Sequence, residues 1–245
     1  MTQIGFSFDE APAISFESPG KMPSYIRDHR KRLRDRFLAG GAEAVPDYEL
    51  LELVLFRAIP RQDVKPLAHR LMEAFGDFAG VLSASDDRLG EIEGVGPAVI
   101  TELRIIEATA KRLSRARIIS RHVLSGWDAV VAYCRTTMAH QSVESFRVLY
   151  LDRRNTLIAD EEMARGTVDH VPVYPREVVK RALALDASAL ILVHNHPSGD
   201  PTPSDADIVM TGQVSDAAAA LSITLHDHII VGAEGERSFR AEGLL

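Results

Sequence analysis

Residues 194–207 read HNHPSGDPTPSDAD, and this stretch holds most of the information about the fold and chemistry of the chain. His194 and His196 follow a strongly apolar run that is predicted to be a strand, in which residues two apart point the same way. Ser204 and Asp207 stand three apart where a helix is predicted to begin, so they share one helix face. Two imidazoles and one carboxylate can therefore converge on one loop, a common three-ligand set for catalytic zinc with the fourth position left to water.

The same residues also have simpler interpretations. A single histidine at a strand end is often a core residue with a hydrogen-bond partner, and Ser204 with Asp207 matches the spacing of a helix capping box. A capping box does not account for the joint spacing H-x-H-x7-S-x2-D, which favours the metal site. Asn195 and Pro197 favour a fixed turn in the loop, which suits a rigid site.

The composition is that of an ordinary globular protein of 245 residues, one large domain or two small ones, with 46% hydrophobic residues. The single cysteine, Cys134, excludes an intrachain disulfide and a thiolate-based zinc finger, and it fits a reducing cytoplasm. Apolar runs such as 187–193 are far shorter than the ~20 residues that span a bilayer, and the N-terminus lacks the pattern of a secretory signal. We therefore expect a cytoplasmic protein with no membrane partner.

The net charge of −7 belongs to the second half of the chain. Residues 1–121 carry 18 basic and 18 acidic side chains, whereas residues 122–245 carry 10 basic and 17 acidic ones. Basic residues are concentrated in two runs, at 21–36 and 111–121, which are typical of nucleic-acid contact but equally of a solvated helix face and a charged linker. The two runs contain Lys21, Arg27, Arg30, Lys31, Arg32, Arg34 and Arg36, then Lys111, Arg112, Arg115, Arg117 and Arg121.

Periodicity divides the chain into four segments. Residues 1–22 mix Pro, Gly, Ser and acids without a period and are predicted to be disordered. Residues 23–115 show helical spacing of apolar residues, and residues 116–124 are predicted to be a linker. Residues 125–245 alternate strands with helices, which predicts an α/β domain. The predicted helices are 48–56, 64–75, 89–92, 97–112, 175–186 and 204–221, and the predicted strands are 146–152, 156–164, 188–193 and 223–231.

A glycine-rich turn, Gly94–Val95–Gly96–Pro97, separates two predicted helices and resembles a helix-hairpin-helix motif. In that motif the glycines let the backbone approach a phosphate, and the following helix N-terminus attracts the anion. This copy has Ala98 after the proline, where versions that bind DNA often have a basic residue, and Glu91 and Glu93 would repel phosphate. DNA contact, protein interaction and a purely structural αα-hairpin all remain open.

The spacing H-x-H-x7-S-x2-D matches the JAMM (MPN+) metalloprotease motif, and the whole string HNHPSGDPTPSDAD resembles the RadC family. The likeness covers about residues 24–245. The resemblance implies an α/β fold, a cytidine-deaminase-like JAMM/MPN domain whose sheet is flanked by helices, with a small all-α helix-hairpin-helix domain before it. Other blocks that look like RadC are Gly166–Thr167, Pro175–Arg176–Glu177 and Asp227–His228–Ile229–Ile230–Val231–Gly232.

The resemblance also implies a role for each motif residue. His194, His196 and Asp207 match the three zinc ligands, and Ser204 matches the serine that helps to stabilise the tetrahedral intermediate. JAMM enzymes also need a glutamate at the start of an upstream strand, for which Glu144 is the candidate. No member of this set is missing, whereas a pseudoenzyme has typically lost at least one. The alternatives for the glutamate, both on the next predicted strand, are Glu161 and Glu162.

His226, Asp227 and His228 form a second polar cluster. Alternation along a strand predicts His226 and His228 on one face and Asp227 on the other. One face could approach the metal and provide a partner for a ligand imidazole, and polar residues that cap the sheet end are an equal alternative. His170, next to Val171–Pro172, is expected to lie in a loop rather than to be a ligand.

Two functions of different classes are expected from these patterns together with the family resemblance. The first is a RadC-like metallohydrolase of the JAMM type, with a Zn2+ cofactor, that hydrolyses a peptide or isopeptide bond in a peptide or protein substrate. The second is a DNA-binding factor in repair or recombination, whose N-terminal half contacts DNA and whose metal site is structural or belongs to a nuclease. The acidic second half argues against a large DNA contact there, since phosphate neutralisation dominates such affinity.

Overall fold

The computed structural model of the protein describes residues 24–119, 123–166 and 173–245. The segment 1–22, which is predicted to be disordered, lies outside the described residues, as do Arg121 of the second basic run and His170. None of the described helices combines the length and apolar character needed to cross a membrane.

Each helix and strand predicted from the sequence overlaps an element of the structure, whereas the helices at 24–40, 78–83 and 127–138 and the strand at 235–238 have no individually predicted counterpart. The helices are α1 (Ser24–Gly40), α2 (Asp47–Ala58), α3 (Lys65–Phe75), α4 (Phe78–Ser83), α5 (Asp86–Gly90), α6 (Pro97–Ile119), α7 (Trp127–Met138), α8 (Pro175–Ala184) and α9 (Asp205–Ala219). The strands are β1 (Ser145–Leu151), β2 (Leu157–Arg165), β3 (Ala189–Asn195), β4 (Thr224–Gly232) and β5 (Gly235–Ser238).

Helices α1 to α6 pack around an apolar core of their own. Arg30, from the first basic run, is buried beside this core, and its guanidinium donates to the carbonyl oxygens of Ile59 and Gln62 at 2.6 Å each. One cation of the run therefore holds the loop after α2 together and is not part of a free surface. The fully buried members of the core include Leu51, Leu71, Leu89 and Leu103.

Helix α6 joins this helical region to the rest of the chain. It begins at Pro97, directly after a turn in which Gly94 has a φ of +94°, a conformation that favours glycine. It runs to Ile119 and so includes residues 116–119, which the sequence predicts as the start of a linker. Ile118 is buried in the core between α7 and the sheet, and this apolar contact explains why the helix continues.

The second half of the chain is a five-stranded sheet with the order β2-β1-β3-β4-β5. Strands β3 and β4 pair in parallel, and the other neighbours pair antiparallel. Helix α7 covers one face of the sheet, and α8 and α9 cover the other. A sheet flanked by helices, preceded by a helical region, confirms the predicted fold class.

The unpredicted helix α7 buries an apolar stripe against the sheet. Val130, Cys134 and Met138 stand four residues apart and are all buried. Burial raises the pKa of the Cys134 thiol, so this side chain stays neutral and acts as a small apolar packing residue.

Candidate metal centre

The predicted ligands lie where β3 ends and where α9 begins. His194 belongs to β3, and the backbone N–H of His196 donates to the carbonyl oxygen of Val231 at 2.9 Å, which continues the parallel pairing with β4. The chain then turns at Gly199, whose φ of +97° favours glycine. It returns to place Asp207 in the first turn of α9. The fold thus brings together residues from both sides of one loop.

Three potential ligand atoms converge at this place. Nε2 of His194 lies 3.0 Å from Nε2 of His196 and 3.2 Å from Oδ1 of Asp207. Nε2 of His196 lies 3.5 Å from Oδ2 of Asp207. The side chain of His194 is 1% exposed, whereas those of His196 and Asp207 are 18% and 13% exposed. The group is therefore anchored in the core on one side and open to solvent on the other.

The proton position on His196 follows from its neighbours. Its Nδ1 lies 2.8 Å from the backbone carbonyl oxygen of Asp200, which can only accept, so Nδ1 carries the proton and Nε2 of the neutral ring keeps its lone pair. Asp200 is held by the N–H and hydroxyl of Thr202, which donate to its carboxylate at 2.9 and 2.6 Å. The hydrogen bond with Asp207 raises the pKa of His196 despite burial, and the charge of Glu144 adds to this effect.

The capping box that the S-x-x-D spacing also predicts is present, and it orients the carboxylate of Asp207. The N–H and hydroxyl of Ser204 donate to Oδ2 at 2.8 and 2.6 Å, which leaves Oδ1 facing His194. Burial acts to raise the pKa of Asp207, but the adjacent imidazoles of His194 and His196 outweigh it and hold this pKa far below its usual range. Capping and metal ligation are therefore compatible in one side chain.

Of the two histidines of β4, His228 lies beside the three predicted ligands and His226 does not. The pairing of β3 with β4 skips His226, which marks a bulge. Nε2 of His228 lies 2.8 Å from Nδ1 of His194, whereas Nε2 of His226 lies 2.6 Å from Oδ1 of Asn155, and His226 lines a cavity together with Trp127 of α7. The prediction that His226 and His228 share a face is wrong, because simple alternation does not continue through a bulge.

Asn195, between the two histidines, holds the segment that carries Glu144. Its side-chain oxygen accepts from the N–H and hydroxyl of Ser145 at 2.8 and 3.1 Å, and its amide donates to the carbonyl oxygen of Val143 at 3.2 Å. Both neighbours of Glu144 are thus tied to β3, and the negative charge of Glu144 helps to raise the pKa of His196. The sequence predicts Asn195 in a fixed turn, whereas it is the last residue of β3 and acts through these hydrogen bonds.

The other acidic residues considered from the sequence are engaged elsewhere. Glu161 forms two hydrogen bonds with the guanidinium of Arg181 of α8, at 2.5 and 2.7 Å. Glu162 lies 3.6 Å from Arg147. Asp227 accepts from the hydroxyl of Ser238 at 2.5 Å and from the backbone N–H of Arg240 at 2.9 Å, so it joins β4 to the segment around β5.

The donor set fits a zinc ion. Ligands of a tetrahedral zinc, at about 2.0–2.2 Å, stand about 3.3–3.5 Å from one another. The corresponding separations here are 3.0, 3.2 and 3.5 Å. Two imidazoles and one carboxylate are ligand types that suit zinc, and three protein ligands with a solvent-facing side are typical of open sites rather than closed structural ones.

The two halves of the chain match family models. Residues 124–244 match the RadC-like JAB domain, and residues 27–101 match the UPF0758 N-terminal model. A UPF0758 protein of Ruegeria pomeroyi is 70% identical over 224 residues, which cover 91% of this chain and 100% of that protein. A UPF0758 protein of Rhodobacter capsulatus is 70% identical over 213 residues, which cover 87% of this chain and 100% of that protein. The resemblance to RadC is therefore confirmed, and the chain belongs to the UPF0758 family, with a UPF0758 N-terminal region followed by a RadC-like JAB domain.

Proposed function

We propose that the protein is a zinc-dependent metallohydrolase that cleaves a peptide or isopeptide bond in a peptide or protein substrate. The observation that carries the proposal is the convergence of His194, His196 and Asp207 at a point anchored in the core and open to solvent. The RadC-like JAB domain supports the same chemistry, because the motif of this chain matches that of JAMM metalloproteases.

In this proposal His194, His196 and Asp207 hold the ion. When bound there, zinc supplies Lewis acidity, which lowers the pKa of a coordinated water to about 7 and polarises the substrate carbonyl. The hydrogen bond from His196 to Asp200 and the capping box around Asp207 orient two of the ligands in the protein itself. Partners of this kind keep metal ligands in the required orientation.

Glu144 is the residue that we propose to move the proton. Hydrolysis of an amide requires that the attacking water lose a proton and that the leaving amine gain one, and a carboxylate near the reacting atoms can do both. Asn195 fixes the backbone on both sides of Glu144. This support reduces the reorganisation needed before proton transfer.

Ser204 is proposed to stabilise the negative oxygen of the tetrahedral intermediate. Its hydroxyl now donates to Oδ2 of Asp207, so this role requires the proton to turn towards the substrate. The backbone N–H of Ser204 also donates to Oδ2 and keeps the carboxylate in place when the hydroxyl turns. One donor of this kind contributes about 100- to 1,000-fold to kcat in an established case.

The substitution Glu144→Gln tests the proposed reaction. We expect cleavage of a library of peptides and isopeptides, followed by mass spectrometry, to fall by about 100- to 10,000-fold with the zinc content unchanged, because the carboxamide cannot accept the proton. Glu161→Gln and Glu162→Gln are matched controls, since each of these acids already pairs with an arginine. Normal turnover by Glu144→Gln would move the role to one of those acids. Absence of cleavage by the zinc-loaded wild-type protein across the library would contradict the reaction class.

DNA binding by the N-terminal helices is a second candidate function, which the exposed basic side chains of α1 favour. Lys31 and Arg32 are exposed on this helix, and basic side chains of this kind can neutralise phosphates. The cationic surface is smaller than the sequence indicates, because Arg36 pairs with Glu49 and a further arginine is buried. The glycine turn before α6 is preceded by exposed acids, which would weaken a phosphate contact at that point.

A further inference from the structure

A continuous chain of hydrogen bonds runs from the ligand His194 into the core beneath it. Nδ1 of His194 lies 2.8 Å from Nε2 of His228, and Nδ1 of His228 lies 2.6 Å from the hydroxyl oxygen of Thr211. That oxygen lies 2.6 Å from the backbone carbonyl oxygen of Asp207. His194 and Thr211 are 1% exposed and His228 is 0% exposed, so these groups must satisfy one another. This series of hydrogen bonds begins at the proposed ligand His194 and ends at the backbone of the proposed ligand Asp207.

The positions of the protons in this series of hydrogen bonds follow from its last bond, between Thr211 and Asp207. The carbonyl oxygen of Asp207 can only accept, and a separation of 2.6 Å requires a proton between the two oxygens, so Thr211 donates its single hydroxyl proton there. The oxygen of Thr211 must then accept from Nδ1–H of His228. A neutral ring protonated at Nδ1 has a lone pair on Nε2, which accepts from Nδ1–H of His194. Nε2 of His194 is left with its lone pair at the proposed metal site.

Two aromatic rings hold His228 in the orientation that this chain requires. The ring centroid of Phe239 lies 4.6 Å from that of His228, and that of Phe146 lies 5.9 Å away at 68°. Both phenylalanines are buried, at 0% and 1% exposure. Rotation of the imidazole would require these rings to move, so the ring can serve as a fixed acceptor for His194.

We propose that His228 and Thr211 are positioning residues, which fix His194 in the tautomer and orientation that present Nε2 to the zinc ion. The proposal rests on the metal site of the proposed function but not on hydrolysis itself. Both residues are buried beneath the ligands, so we expect them to act by holding His194 and not by contact with a substrate. Partners of this type contribute about 10- to 100-fold to metal affinity in other proteins.

Thr211→Val removes the acceptor for His228 while keeping the shape of the side chain. We expect the dissociation constant for zinc, measured by competition with a chromogenic chelator, to rise about 10- to 100-fold. Thr211→Ser keeps the hydroxyl and should bind zinc as the wild type does. Thr137→Val is the matched control, because Thr137 makes the same bond to the carbonyl oxygen four residues earlier, at 2.8 Å, on α7 and away from the site. Unchanged zinc affinity in folded Thr211→Val would overturn the proposal.

The ring nitrogens of His228 provide a readout that is independent of activity. In protein labelled with 15N-histidine, we expect NMR spectra to show His228 protonated at Nδ1 and not at Nε2, and this pattern to be lost in Thr211→Val. A wild-type His228 protonated at Nε2 would overturn the proposal. If the wild-type protein binds no zinc, the proposed function fails, and the spectrum of the metal-free protein still decides the tautomer. His228→Gln places an amide oxygen near the Nε2 position and should restore part of the zinc affinity that His228→Leu loses.

Discussion

At the residue scale, the two carboxylate oxygens of Asp207 have different partners. Oδ2 accepts two hydrogen bonds from Ser204, and Oδ1 faces His194. The S-x-x-D spacing predicts both a capping box and a ligand, and the capping box that is present leaves one carboxylate oxygen directed at His194. The motif residues could be placed from the sequence because alternation in a strand and i, i+3 spacing at a helix start are local rules.

The raised pKa of His196 predicts how zinc retention depends on pH. The ordinary pKa of a histidine is 6.5, and Asp207 raises the pKa of His196 above it. The protonated ring therefore stabilises the folded, metal-free protein, fully so below pH 6.5. This stabilisation is lost as the pH rises through the raised pKa of His196. Zinc needs Nε2 without a proton, so its binding competes with protonation. We expect the gain in thermal midpoint on adding zinc to be largest near about pH 8 and to shrink towards about pH 6. A gain that stays constant over this range would argue against His196 as a ligand.

At the scale of elements, the loop between β3 and α9 closes against the end of β4. The carbonyl oxygen of Gly199 accepts from the N–H of Glu234 at 3.1 Å, and a Cβ on Gly232 would meet that same carbonyl group. The absence of a side chain at Gly232 therefore lets the loop that carries His196 lie against the sheet. Loop position and ligand position are coupled through this contact.

The substitution Gly232→Ala tests this coupling. We expect a loss of about 1–3 kcal/mol in the free energy of unfolding, as for other overpacked sites, and weaker zinc binding because the loop must shift. Gly212→Ala in α9 is the matched control, since a Cβ there meets nothing within 4 Å and alanine favours a helix by about 0.5–1 kcal/mol. Denaturant titration and chelator competition measure the two effects. Equal free energies of unfolding and equal zinc affinities in the two variants would show that the close contact at Gly232 is unimportant.

Other features of the elements could not be predicted because they depend on partners distant in the sequence. The bulge at His226 belongs to the pairing of β3 with β4, so alternation within β4 alone predicts the wrong face. Arg30 lies in a charged run that is typical of a solvated helix, and its burial depends on carbonyl groups about 30 residues away, in the loop after α2. In each case the local pattern is clear, but the contact that decides the outcome is not local.

At the scale of the whole molecule, α6 leads from the helical region towards the α/β region. It is still helical at residues 116–119, where the sequence predicts the start of a linker. Ile118 near its end is buried in the core that α7 forms with the sheet, and α7 itself has no counterpart among the predicted elements. The α/β alternation was sufficient to predict the fold class. The joint between the two regions depends on packing that no single segment of the sequence displays.

DNA binding, if it is a function of the whole chain, should come from the exposed cations of α1. We expect the full-length double variant Lys31→Gln/Arg32→Gln to lose affinity for a short DNA duplex, measured by fluorescence anisotropy. Loss of two phosphate contacts should reduce the slope of log K against log salt by about 2. Arg153→Gln/Arg154→Gln, an exposed basic pair in the turn between β1 and β2, is the matched control. A DNA affinity that is independent of salt, or unaffected by the α1 variant, would contradict this role.

The central claim is that His194, His196 and Asp207 hold a zinc ion, and elemental analysis of the purified protein tests it most directly. The comparison needs the wild-type protein, Asp207→Ala and the control Asp205→Ala, which removes an exposed acid from the same helix turn. We predict about one zinc per chain in the wild type and in Asp205→Ala, and almost none in Asp207→Ala. A wild-type protein without zinc, or full zinc content in Asp207→Ala, would contradict the claim.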